Sequence, residues 1–426
     1  MTIGENAWQR PRIGQLVRRI GSGLALATLA CARDEGSGAL QRRDSAGVEI
    51  VDSRVARWSA ADRWTIDDRP AVTIGGEGGH TEYQFSLVRG TLRLPNGQIL
   101  VSDDRAGRLW FFDATGALVK STGGSGRGPG EFGYSVLRIW RAPSGELLVT
   151  DAGNNRTNVF DENGTFVRSI QLAPSPDVPQ VNPIDVFAGG NLLAAGVVGG
   201  PTSAPAAPAW TVTREHLYFR YSIDGELLGR ILSLPGRPQH FYSFAGTVGA
   251  TAVPLTADHL VAVQGDTVLV YRGPREEVEL WTQDGRLRRI IRWEGAPDRR
   301  VADVWDRYTA AALEAEGVTP FGRQAYAHFF SLSLPLPELV PSTERLIVDA
   351  EENLWALRYR LPWESDLQWD IVSGDGDWLG TVTSPPDLTV HQIGRDFVLG
   401  VHRDSLGVER VRLHALERRE ARDRRD

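Results

Sequence analysis

Short apolar runs, each entered through a polar turn, recur along the chain. Ile99 to Val101 follows LPNG, Leu147 to Val149 follows APSG, and Leu192 to Ala194 follows AGGN. Leu260 to Ala262 follows TADH, Leu354 to Ala356 follows DAEEN, and Phe397 to Leu399 follows IGRD. Gly, Asn and Asp tolerate the left-handed backbone angles of tight hairpins, so each run reads as a buried strand entered through a turn. Six such hairpins predict six copies of one unit.

The first two copies match closely. Gly97, Val101, Asp103, Arg108, Phe112, Asp113 and Gly116 recur as Gly145, Val149, Asp151, Arg156, Phe160, Asp161 and Gly164, at a constant offset of 48 residues. A fixed period of that size, with about four strand-like runs per period, predicts propeller blades in an all-β chain. Outer turns support the same count: DATG near Asp113, DENG near Asp161, IDG at Asp224, QDG at Asp284 and GDG at Asp375. The sixth is missing as expected if one blade is split between the chain ends. Three C-terminal strands, Leu388 to Ile393, Phe397 to Val401 and Val408 to Leu413, then need a fourth, and Ala71 to Ile74 is the outer strand without inner partners nearby.

The period lengthens between the fourth and fifth copies. Val301, Val304, Trp305, Tyr308, Ala312 and Ala315 fall on one helix face, which predicts a helix from Asp298 to Glu316, capped by Asp298 and ended by Gly317. A second short helix is expected over Phe321 to Phe330. Propeller loops alternate between two faces, so this insertion shares a face with GGEGGHTEYQF, GSGRGPGEF, DAGNNR and the loop around GRPQHFY. A helical lid over that face and a helix packed on the rim both fit.

Composition changes the picture at the N-terminus. The only cysteine, Cys31, follows Arg10, Arg12, Arg18 and Arg19 and the uncharged stretch Ile20 to Ala30. This has the layout of a bacterial lipoprotein signal ending in TLAC, although Thr28 stands where leucine is usual; plain secretory cleavage near Ala30 fits as well. The expected organisation is a signal segment over 1–31, a polar tether over 32–46, a propeller over 47–416 with its helical insertion at 298–330, and a charged tail over 417–426. Such a protein is exported and membrane-anchored, facing the periplasm or the cell exterior. A second cysteine being absent, no internal disulfide can form. The net charge of −7 gives no reason to expect nucleic acid as a partner. Thirteen tryptophans supply large surfaces for packing between blades.

GRGPGEF at Gly126 to Phe132, LLVTDAGNNRTNVFDENGTFV at Leu147 to Val167 and ILVSDDRAGRLWFFDATGALV at Ile99 to Val119 resemble the six-bladed propeller family related to NHL repeats. The resemblance is carried by residues 71 to 170, weakens to 300, and is architectural beyond. It implies the fold, and it implies several kinds of function, because similar propellers include binding modules, scaffolds and enzymes of the lactonase or lyase type.

Candidate chemistry is sparse. Asp103 with Arg108, and Asp151 with Arg156, repeat at one offset, and repetition in successive blades favours a structural pair over one active site. GSGRGPGEF lacks the Lys and following helix of a phosphate-binding loop, so its glycines read as a tight crossing between blades. The histidines form no HxH or HExxH pair, and no GxSxG is present, so no catalytic residue is assigned. His80, Glu82, Arg127, Glu131, His240, Tyr242 and His328 are the candidates for a ligand-binding face. Asp103, Asp151 and Asn154 are weak metal candidates; no cofactor is expected, and calcium is an ion that these donors could hold. The expected function is a membrane-tethered binding or scaffold module for a protein, peptide or glycan. The alternative is a metal-dependent lactonase- or lyase-like enzyme with its site in the central channel.

Overall fold

The computed structural model describes residues 40–59, 61–76, 85–133, 137–199, 209–315 and 318–419. Cys31, His80, Glu82 and Gly317 lie outside them. The strands form antiparallel meanders in chain order. Sheet I contains Val88–Arg93, Ile99–Asp103, Arg108–Phe112 and Leu118–Gly123. Sheet II contains Ile139–Arg141, Leu147–Asp151, Arg156–Phe160 and Phe166–Ile170. Sheet III contains Val181–Val186, Leu192–Val197, Glu215–Tyr221 and Leu227–Pro235. Sheet IV contains Leu260–Gln264, Thr267–Tyr271, Glu277–Thr282 and Leu287–Trp293, and sheet V contains Thr343–Val348, Leu354–Arg358, Leu367–Val372 and Trp378–Ser384. Sheet VI contains Leu388–Ile393, Phe397–Arg403 and Glu409–Glu417, and its outer edge is completed by Val72–Ile74 and Thr65–Ile66. The first strand of each sheet touches the first strand of the next, and that of VI touches that of I. This is the topology of a β-propeller.

The packing explains why the inner runs are continuously apolar rather than alternating. Successive side chains of a strand point to opposite faces, and here both faces are buried against a neighbouring sheet. Leu147 and Val149 join the core between sheets I and II, whereas Leu148 joins the core between II and III. Leu354 and Ala356 face sheet IV, and Trp355 faces sheet VI. Each adjacent pair of sheets, including VI with I, shares one such apolar cluster.

The outer turns do a second job. Gly116, Gly164, Gly225, Gly285 and Gly376 all have φ between 69° and 97°, which alone favours glycine. They also dock on the preceding sheet: a Cβ on Gly225 would stand 2.5 Å from Gln171 O, and one on Gly285 would stand 2.5 Å from Ile231 O.

Several expectations are corrected. Leu40–Ser45 is a strand paired with Val48–Ser53, so residues 40–45 belong to a sheet and not to a polar tether, and sheet structure is present upstream of Gly47. Val48–Ser53 runs parallel to Leu287–Trp293, extending sheet IV at its outer edge. The other five runs are second strands, but Leu260–Gln264 is the first strand of its sheet and is not entered through a hairpin turn; the turn is at Gly265 and Asp266, after it, and TADH merely leads in. Glu417 ends a strand, and Arg418 is paired with Asp349 at 2.9 Å and lies over the Trp64 ring, so neither belongs to a free charged tail. The first helix, α1, spans Val301–Glu314, and Asp298 does not cap it. Residues 299–301 are held extended by hydrogen bonds to 338–340, Val301 N to Glu338 O at 3.0 Å and Val340 N to Arg299 O at 2.8 Å, which delays the first turn. The second helix, α2, spans Pro320–Phe330 and is capped by Thr319, whose hydroxyl accepts from Gly322 N–H at 3.1 Å. GRPQHFY is not a loop: Gln239–Phe244 is the middle strand of an extra three-stranded sheet, between Ala209–Val212 and Thr247–Ala252. No helix among the described residues is long and apolar enough to cross a membrane.

Candidate functional site

In an antiparallel meander the links from second to third strand, and from one sheet to the next, emerge at the same end. The extra sheet, α1, α2 and the glycine-rich loop are all such links, so one face of the propeller collects them.

The glycine-rich loop is stapled from within. Asp151 accepts from Gly133 N–H at 2.8 Å and from Asn154 at 2.7 Å, and pairs with Arg156 at 3.0 Å. Arg156 also donates to the carbonyls of Arg127, Gly128 and Glu131, and Glu131 turns its carboxylate back on Gly128 N–H at 2.8 Å. Gly123, at φ 93°, lies against the buried Phe132, whose ring leaves no room for a Cβ. In the preceding repeat Asp103 accepts from the backbone N–H groups of Ser86, Arg105 and Ala106, while Arg108 turns to Ser121. The repeated aspartates therefore hold loops, and only the second copy forms an ion pair with its arginine. Among the described residues no three His, Cys, Asp or Glu side chains converge as a metal site would require.

His240, Tyr242 and His328 do come together. Tyr242 lies 6.1 Å from the His328 ring and 5.1 Å from that of Phe329, and His328 stacks on Phe244 at 5.4 Å. This is a packing seam between the extra sheet and α2. His240 is buried with Nδ1 on the Thr211 hydroxyl at 2.8 Å, and burial lowers its pKa, so it packs as a neutral ring. Arg127 and Glu131 belong to the glycine-rich loop between sheets I and II instead.

The residues missed from sequence line a cleft of about 500 Å³ between sheets IV and V. On one wall Arg358 donates twice to Asp370, at 2.9 and 2.8 Å, and also to Gly295 O, Gln368 and Thr381. On another, Arg299 pairs with Glu364 at 3.0 Å and donates to Tyr359 O at 2.7 Å, and Arg360 pairs with Glu344 at 3.2 Å. Trp363 lines the cleft, with Arg307 4.2 Å above its ring. The α1 residues Val304, Trp305 and Tyr308 pack against the same buried core, Leu255, Val301, Val340 and Leu361, as the cleft residues Tyr359 and Trp363, so the helix braces the cleft wall. Asp370 was legible only as a charge inside the apolar run LQWDIV.

Glu276 completes the cleft. It is 8% exposed and accepts from Ala296 N–H at 3.2 Å. Burial, with repulsion from Asp370 added and attraction by Arg358 opposed, pushes its pKa from 4.5 up to about 7. The folded form thus holds its proton more tightly than the unfolded chain, and stability falls as pH rises from about 4.5 to 7, by about 3 kcal/mol in all. Glu276→Gln is expected to raise stability by about 2–3 kcal/mol at pH 8 and hardly at all at pH 4. Urea denaturation at both pH values tests this, and an equal shift at both would contradict it.

No protein-family model and no curated protein matches the chain. Among solved structures it is similar to a member of the DUF4221 family from Bacteroides vulgatus, at 10% identity and a TM-score of 0.47, covering 84% of this chain and 99% of that one. It is similar to a gluconolactonase from Xanthomonas campestris at 12% identity and a TM-score of 0.42, covering 78% and 87%. It is also similar to virginiamycin B lyase from Staphylococcus aureus at 9% identity and a TM-score of 0.38, covering 83% and 99%. At these scores the propeller assignment stands on strand topology.

Proposed function

We propose that this protein is an exported six-bladed propeller, lipid-tethered through Cys31, that serves as a binding or scaffold module for a protein, peptide or glycan. In this reading sheets I to VI are the blades, α1 and α2 are inserted between the fourth and fifth, and the sixth is closed by strands from both chain ends. The sixfold count is supported by the cyclic order of first-strand contacts. Binding is supported by one observation above the others: the described insertions rise from one face, and there a cleft is walled by arginines already held by carboxylates. Such pre-paired groups lose little freedom when a ligand arrives, which favours affinity over chemistry.

The test uses the purified protein on peptide and glycan arrays, followed by calorimetry on the hits. Arg360→Ala and Trp363→Ala are each expected to weaken binding about tenfold or more, as truncated anchor residues do, with the melting temperature little changed. Binding unaffected by either substitution would remove the cleft from the proposal. For the tether, Cys31→Ser is expected to move the protein from the membrane to the soluble fraction, and unchanged membrane association would contradict lipidation.

The alternative, a metal-dependent lactonase- or lyase-like enzyme, finds a poor donor set among the described residues. Asp103 and Asp151 already accept from backbone N–H groups, and Asn154 donates to Gly126 O at 2.9 Å. Stoichiometric calcium or zinc retained through dialysis would favour that enzyme.

A further inference from the structure

The first strands of the sheets surround the propeller axis, and nearly all their charges are matched. Arg89 pairs with Asp104 at 3.3 Å, Arg93 with Asp396 at 3.6 Å, Arg141 with Glu162, and Glu344 with Arg360 at 3.2 Å. Asp185 turns its carboxylate onto Val186 N–H at 2.8 Å and onto the backbone of Val263. His391 bonds the Thr91 hydroxyl through Nδ1 at 3.3 Å. Burial, reinforced by the charge of Arg345, keeps this ring neutral, with a pKa of about 3.

Two cations are left over. Arg345 lies in the first strand of sheet V, opposite Leu357, and Arg138 sits at the head of the first strand of sheet II, its carbonyl accepting from Thr150 N–H at 2.9 Å. Leu357 and Thr150 are both the fourth residue of their second strands, so the two arginines occupy the same level of the propeller. Sheets II and V are separated by two sheets in either direction round the cyclic order, which sets Arg138 and Arg345 across the axis from one another. Neither guanidinium has an ion pair or side-chain hydrogen bond among the described residues, and both are reachable by solvent. Arg345 is held below the usual arginine range by burial, with Glu344 opposing and Arg138 adding to the effect. Like charges facing each other across a protein-walled channel repel strongly unless an anion lies between them.

We propose that the central channel binds a compact oxyanion, phosphate or carboxylate in kind, between Arg138 and Arg345. Guanidinium groups suit such ligands because their N–H groups match two oxygens at once. The site rests on the cyclic order of the sheets and is independent of the cleft between sheets IV and V.

Calorimetry on the full protein with inorganic pyrophosphate and, separately, citrate is the test. One-to-one saturable binding of at least one probe is expected; pyrophosphate alone would identify a phosphate site and citrate a carboxylate site. Arg138→Gln and Arg345→Gln should each weaken binding tenfold or more, while Trp363→Ala should leave it unchanged. As a check on the unaltered protein, the bound probe should protect Arg345 from phenylglyoxal, read by mass spectrometry. Absence of saturable binding by both probes, unchanged affinity in both arginine variants, or unprotected Arg345 would each overturn the proposal.

Discussion

A chain that begins at Phe85 is expected to be unfolded. Removing everything upstream takes away Val72–Ile74 and Thr65–Ile66, the outer edge of sheet VI, and Val48–Ser53, which extends sheet IV. The side chains of Val51, Trp64, Ile66 and Ile74 are buried, and losing such groups costs about 2–4 kcal/mol each. Their sum, roughly 10 kcal/mol, is as large as the whole stability of an ordinary domain. Arg418 would also lose the Trp64 ring beneath it, and the strand Glu409–Glu417 would become an open edge. Circular dichroism and limited proteolysis report the outcome; a cooperative melt within a few degrees of the full chain would show that the N-terminal strands are not the closure.

Arg358→Ala should be the most damaging single substitution at the cleft. Its partner Asp370 has a side chain only 2% exposed, so the substitution strands a buried carboxylate and removes a neighbour that favours ionised Glu276. Breaking a buried pair from one side costs about 3–5 kcal/mol, whereas replacing both partners by apolar groups of similar size is often close to neutral. Denaturant titration should therefore show a large loss for Arg358→Ala and recovery of most of it in Arg358→Met with Asp370→Leu. A single-variant loss below about 1 kcal/mol would mean that the pair is not desolvated as described.

Local signals proved reliable where the physics is local. The 48-residue offset places Gly97 and Gly145 in the same turn, with φ of 84° and 96°, and the outer-turn glycines all sit at positive φ. Ala71 to Ile74 was legible as an outer strand lacking neighbours, and it pairs with the C-terminal strand. Less was legible where contacts compete with local preference. Asp298 is a good cap by type, but the extended pairing of 299–301 with 338–340 moves the helix start. GRPQHFY carries the Gly and Pro of a loop, yet Gln239–Phe244 becomes a strand because α2 covers one side of it and two strands flank it.

The candidate site was the least legible part. Glu276, Arg358 and Asp370 come from separate connections and strands, and none stands in a motif. Of the predicted face residues, His240, Tyr242 and His328 went to a packing seam and Arg127 and Glu131 to the glycine-rich loop, while His80 and Glu82 lie outside the described residues.

From its sequence alone this protein is a repeating all-β molecule with one split unit and a helical insertion, because turn chemistry and buried runs are written residue by residue. Tertiary structure decided which charges meet. Coulomb energies and burial depend on distances between sheets, and those distances follow from how the blades pack rather than from spacing along the chain.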